Sequence, residues 1–289
     1  MKKVVLSVVA ALAMTATVPA LAADMPVKAK PVAPAAAPSP WDVLFGVDFT
    51  TDYVLRGISQ TNRKPAEQGY FEVDYTATDW LKLYAGLWGS SLASYNADAE
   101  IDISGGARFS WGNFGLDLGY VYYYYPDGTS GPINNYGSFG EFYAKPSYKV
   151  ADWLTIAGVV DGGNNFNNKC IGPNCTGVWV GDADAMYYSG NAVITLPWHP
   201  ITDVTISINP EIGRQWYSSS VTANLGTPSY TYWDVGVDFN WKAITLDLRY
   251  WDTDKHGVFL APASFGAKDL AGSTFVATLK FDTSISQLK

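Results

Sequence analysis

Charged side chains recur at even spacings along this chain, and their types limit what chemistry they can do. One series holds the acids Asp48, Asp52, Glu72, Asp74, Glu100, Asp102, Asp117, Glu141, Glu211, Asp234, Asp238 and Asp247. It also holds the bases Arg56, Lys82, Arg108, Lys145, Arg249 and Lys280. Twelve acids against six bases suit the electrostatic handling of small ions, where rings of like charge select counter-ions. General base chemistry most often employs histidine. The two histidines are His199, in the turn Pro197-Trp198-His199-Pro200, and His256, in a long connection. Neither lies on a strand beside a serine that would be held rigidly, so the chain is read as a non-enzyme. Cys170 and Cys175 are the two cysteines. In an exported chain such a pair predicts a disulfide. With no histidine beside them they make a poor metal site, and no cofactor is expected.

The elements that must carry these charges follow from parity. In Trp41–Thr61, residues Trp41, Val43, Phe45, Val47, Phe49, Tyr53 and Leu55 share one side, and Asp42, Asp48, Asp52 and Arg56 share the other. A period of two places the sets on opposite faces of a strand. The same alternation predicts twelve strands near 41–57, 68–76, 80–91, 98–110, 114–125, 138–149, 153–162, 184–196, 203–216, 230–241, 243–252 and 272–282. Pro146 and Pro210 fall inside strands and cannot donate to a ladder, which predicts bulges there. Short and long connections alternate, as they do in outer-membrane barrels.

Composition points the same way. The chain has 19 Tyr, 13 Phe, 11 Trp and 27 Gly, and only 16% of it is charged, where about a quarter is usual in soluble domains. A net charge of −8 argues against nucleic acid, which needs a basic face. Residues 1–22 read as a secretory signal peptide: Lys2 and Lys3 precede an apolar run, and Ala20-Leu21-Ala22 supplies a small-residue cleavage pattern. Residues 23–40 are rich in proline and alanine and read as an extended linker. Residues 41–282 would form the barrel and 283–289 a tail. No later stretch reaches the roughly 18 apolar residues of a spanning helix, so any membrane domain must be a barrel.

Trp41, Trp80, Trp111, Trp153, Trp198 and Trp241 recur beside the start of the first strand or a short turn. A second aromatic group, Tyr122 to Tyr125, Trp216, Tyr230, Tyr232, Trp233 and Tyr250, sits near the opposite strand ends. Aromatic rings favour membrane interfaces. The apolar parity carries no charge until Arg214 and Asp252. Alternation alone fits two arrangements: a soluble sandwich with charges outside, or a barrel with charges inside. Export, loop asymmetry, low charge and the two girdles favour an all-β, up-and-down, antiparallel transmembrane barrel of about 12 strands. Its partners would be a lipid bilayer and small hydrophilic solutes or cations. No oligomer interface is visible in the pattern.

Some residues also carry a resemblance. Thr51-Asp52-Tyr53-Val54-Leu55-Arg56-Gly57-Ile58-Ser59-Gln60-Thr61 resembles the opening signature of the TorF-type porin family of proteobacteria. Tyr70 to Tyr75, Tyr84 to Ser90, Glu100-Ile101-Asp102 and, more weakly, Leu246 to Asp254 extend the likeness over most of residues 41–282. The resemblance implies an outer-membrane barrel of a Gram-negative bacterium that acts as a channel, and it transfers no catalytic residue. One departure is the tail: Phe281 is followed by eight further residues, which either add to the last strand or make the assembly signal atypical. Twelve strands tilted near 40° would enclose a backbone cylinder roughly 24 Å wide and a lumen of about 10 Å. An acidic wall would favour cations. The alternative is that Arg56, Arg108 and Arg249 pair with neighbouring acids and close the lumen, leaving a plugged structural or adhesive barrel.

Overall fold

Alternation with a period of two runs through almost every ordered segment, and the chain resolves it by curling one sheet onto itself. The computed structural model describes residues 39–93, 97–126, 139–163, 170–171, 178–179, 185–198, 200–219, 228–261 and 268–288. The signal-peptide reading, most of the linker, Cys175 and His199 lie outside the described residues.

Twelve strands close in the order β1 (Trp41–Thr50), β4 (Ala66–Thr78), β5 (Leu81–Ser91), β6 (Ala99–Trp111), β7 (Phe114–Tyr124), β8 (Phe139–Ala151), β9 (Leu154–Gly163), β12 (Ala185–Thr195), β13 (Thr205–Tyr217), β14 (Tyr230–Trp241), β15 (Ile244–Thr253) and β16 (Thr274–Ser284). Two small hairpins sit in connections: β2 (Val54–Leu55) with β3 (Ile58–Ser59), and β10 (Cys170–Ile171) with β11 (Val178–Trp179). All barrel pairs are antiparallel, and β1 pairs with both β4 and β16. Closure leaves no free sheet edge, which removes the usual route to edge-to-edge aggregation. The expected strand count and up-and-down order are therefore observed. β16 runs past Phe281 to Ser284, which pairs with Leu44. Beyond it, Ser286 donates from its backbone and its hydroxyl to the Asp42 carboxylate.

Three expectations need correction. The first strand ends at Thr50 rather than near residue 57, and Asp52 and Arg56 lie beyond it. The ladders keep one register through Pro146 and Pro210. There a missing N–H costs local pairs without inserting a residue, and Gly158 leaves room beside the Pro146 ring. The register shifts lie at Thr76/Thr78 and Lys149/Ala151, beside short turns. The second aromatic group is divided by parity: Tyr122, Tyr124, Trp216, Trp233 and Tyr250 are exposed, while Tyr123, Tyr230 and Tyr232 are buried.

The outer surface is apolar. Leu87, Ile103, Phe142, Ile212 and Phe275 are each about half or more exposed, and Trp41, Trp80, Trp111, Trp153, Trp198 and Trp241 are exposed beside the short turns. Trp80, Phe109, Trp111 and Phe114 stack in one continuous row. Burial is concentrated on the opposite parity, where Asp74, Glu100, Glu141, Asp234 and Asp247 are all inaccessible. Polarity is thus inverted relative to a water-soluble domain.

Candidate functional site

Beyond Thr50 the chain turns back on itself. Asp52 organises the reversal by accepting hydrogen bonds from the hydroxyls of Ser59 (2.6 Å) and Thr61 (2.8 Å), with Arg63 at 3.6 Å. The β2–β3 hairpin is closed by Arg56 and Gly57, both at positive φ (50° and 81°). That is the two-residue turn whose twist suits a hairpin. Gly57 has no room for a side chain, because a Cβ would lie 2.6 Å from Tyr232 and 2.9 Å from Thr253.

This hairpin reaches across the barrel. β9 is the sixth strand from β1 in either direction around the ring, so it stands opposite. Arg56 Nη2 donates to Glu141 Oε2 on β8 (2.8 Å) and to Asp161 Oδ2 on β9 (2.9 Å). Nη1 donates to Gln215 Oε1 on β13 (2.9 Å) and to Glu141 Oε1 (3.3 Å). The guanidinium carbon lies 4.1 Å from the centre of the Tyr187 ring on β12. Tyr53 donates to Glu100 on β6 (3.1 Å) and packs on Trp88 of β5. Parity alone had placed Tyr53 with the outward apolar set. The turn after Thr50 reverses that, and Tyr53 belongs inside.

A second cluster lies toward the short turns. Arg108 grips Glu72 with two parallel bonds (2.6 and 2.8 Å), and also reaches Asp117 (3.3 Å) and Asp74 (3.4 Å). Lys82 pairs with Asp74 at 2.8 Å. One ladder row explains how bulky groups fit here: Tyr84 on β5 pairs with Gly106, then Gly119, then Tyr143 on β8. The two glycines let both rings lie along the wall until their hydroxyls meet, and Tyr84 donates onward to Asp117 at 2.6 Å. Lys145 Nζ sits 4.1 Å from the Tyr143 ring centre.

The third cluster joins β13 to β16. Arg249 pairs with Asp234 and, at 3.3 Å, with Asp247, which also takes Lys280 at 3.2 Å. Glu211 accepts from Tyr187 (3.0 Å) and Tyr232, and Asp238 from Asn209 (2.7 Å). Beside the hairpin is a cavity of about 290 Å³ lined by Asp48, Asp52, Glu211, Asp234, Asp247, Arg249 and Lys280, with Tyr53, Trp88 and Trp251 among its walls. Asp102 is half-buried, and its Oδ1 has no hydrogen-bond partner.

Most of the candidate charges therefore gather into three groups rather than one open ring, while Asp102 stands outside them. Sequence reading passed over several participants. Asp161 holds the inward parity of β9 and was open to the same argument as its neighbours. Gln215 and the inward tyrosines carry no charge, so only register reveals them. His256 pairs with Asp252 at 2.5 Å on the exposed rim. Cys170 lies in β10, and its expected partner Cys175 is outside the described residues. Among the described residues no group of three or more His, Cys, Asp or Glu side chains could hold a metal ion.

A closed antiparallel barrel with an apolar exterior and paired charges within defines a transmembrane-type β-barrel. The chain belongs to the family described as a bacterial protein of unknown function (Gcw_chp), matched over residues 34–282. No curated protein sequence matches it. Among solved structures it is similar to an outer-membrane channel from Pseudomonas putida F1, at 12% identity and a TM-score of 0.47, covering 89% of this chain and 100% of that one. It is also similar to the NanC porin, at 12% identity and 0.46, covering 84% and 98%.

Proposed function

We propose that this chain is an outer-membrane, porin-like channel for passive diffusion of ions or small hydrophilic solutes, leaning toward cations. The inversion of polarity carries the reading. Charged side chains fill the interior, while apolar side chains such as Leu87 and Ile103 stand exposed on mid-strand. A water-soluble fold would gain nothing by this, whereas a bilayer requires it. The signal-peptide pattern of residues 1–22 and the resemblance to TorF-type porins support the same location. Within the candidate set acids outnumber bases two to one, and Asp161 adds one more acid, which supports cation preference.

A plugged barrel is the second reading, and one observation favours it: the β2–β3 hairpin crosses the interior and is pinned by Arg56. In the channel reading that hairpin is a constriction. Swelling of proteoliposomes in isosmotic solutions of small solutes tests the function. Swelling that falls as solute size rises supports diffusion, and rates equal to protein-free liposomes for every solute oppose it.

A further inference from the structure

The environment of the Arg56 guanidinium is a complete recognition site assembled from four strands. Glu141 meets the guanidinium fork with both oxygens, Asp161 takes a third bond, Gln215 a fourth, and the Tyr187 ring covers the face. Flat, bidentate carboxylate contacts and an aromatic face are how proteins recognise guanidinium and ammonium groups. Glu141 and Asp161 hold the parity of β8 and β9 opposite the exposed Phe142 and Val160, so the strands themselves, and not the hairpin, place both carboxylates inside the barrel. Asp161 Oδ1 has no hydrogen-bond partner, which leaves an acceptor for a donor that Arg56 does not provide.

The occupant is a side chain at the tip of a two-residue turn, held at a φ of 50°, a conformation uncommon for residues other than glycine. Rotating this one side chain away would empty the site. Next to the hairpin, the cavity continues the same chemistry with Asp48, Glu211, Asp234 and Asp247 beside Trp88 and Trp251.

We propose that Arg56 is a resident occupant of a binding site for small guanidinium or primary-ammonium solutes, which take its place at the mouth of the barrel. Two carboxylates, one amide oxygen and a ring suit a planar organic cation, whereas a hard divalent metal seeks a closer shell of six or more oxygens. Passage of such a solute rests on the channel reading above. Binding does not.

The test is calorimetric titration of methylguanidinium into the detergent-solubilised barrel, its fold checked by heat-modifiable gel mobility. Arg56→Ala should bind at least about tenfold more tightly than the wild type, the gain expected once the ligand no longer competes with a side chain making charge-assisted bonds there. Arg56→Ala/Glu141→Gln should lose that gain, and tetramethylammonium, which has no N–H, should not bind in its place. Equal affinity of Arg56→Ala and wild type, or a gain that survives Glu141→Gln, overturns the proposal. If Arg56→Ala does not fold alone, methylguanidinium should restore its heat-modifiable form during refolding, and no restoration overturns the proposal equally. Binding without conductance in any variant would remove the channel reading and leave the site standing.

Discussion

Arg56, on the hairpin that follows the first strand, forms a two-pronged ion pair with Glu141 on β8, with Nη2 2.8 Å from Oε2. The pair ties the start of the barrel to its far wall. Asp161 shares the same nitrogen at 2.9 Å, so one cation holds two carboxylates that would otherwise repel each other in a buried setting.

Removing that cation should be expensive. Arg56→Ala is expected to destabilise the folded barrel by about 3–5 kcal/mol, because it strands buried carboxylates without compensation. Arg56→Lys should recover part of this, as a point charge cannot make the forked contact. Reversible unfolding from lipid vesicles, followed by tryptophan fluorescence, gives both values. A loss under about 1 kcal/mol, typical of an exposed pair, would contradict the buried latch.

The row Tyr84–Gly106–Gly119–Tyr143 makes a separate prediction. A Cβ on Gly106 would meet Tyr84 and the Leu118 carbonyl, whereas one on Gly190 would meet nothing within 4 Å. Gly106→Ala should cost about 1–3 kcal/mol through overpacking. Gly190→Ala should stay within about 0.5 kcal/mol. The same unfolding measurement separates them, and equal effects would contradict the packing described for the row.

Lipid on the outer face is tested by a single outward residue. Leu87 sits mid-strand on β5, half exposed and opposite Ile103. Leu87→Arg should cost about 2–4 kcal/mol in a bilayer. On a water-facing surface the same change would fall within about 0.5 kcal/mol. Folding titrations into vesicles distinguish the two.

Much of this architecture was legible in the chain because β-structure writes its two faces in alternate residues. Leu81, Leu83 and Leu87 against Lys82 are enough to orient β5, and Trp80 marks where it begins. The same rule failed at Tyr53. Parity counts forward only while the backbone stays extended, and Asp52 ends the extension through its bonds to Ser59 and Thr61. Tyr123, Tyr230 and Tyr232 were grouped with the outer girdle by composition, though their parity pointed inward. The ion clusters were hidden for another reason. Arg108 with Glu72, and Arg56 with Glu141, join residues whose registers are set by several intervening ladders. Those registers cannot be read from one strand at a time.

The proposed cation preference would act at the cavity walls. Asp48, Asp52, Glu211, Asp234 and Asp247 face Arg249 and Lys280 there, so a potassium chloride gradient should give a reversal potential of cation sign. Asp48→Asn with Glu211→Gln should move it toward zero, because charge rings set ion preference. A potential of anion sign in the wild type would contradict the charge assignment.

On the proposed function the barrel conducts through its charged interior, and the Arg56 hairpin narrows the path. Single-channel recording in planar bilayers, with wild type and Arg56→Ala side by side, tests both parts. Discrete steps are expected for the wild type, and larger steps for Arg56→Ala at the same voltage and salt. Current indistinguishable from bare bilayer for both proteins, with each confirmed as inserted by heat-modifiable mobility, would contradict it.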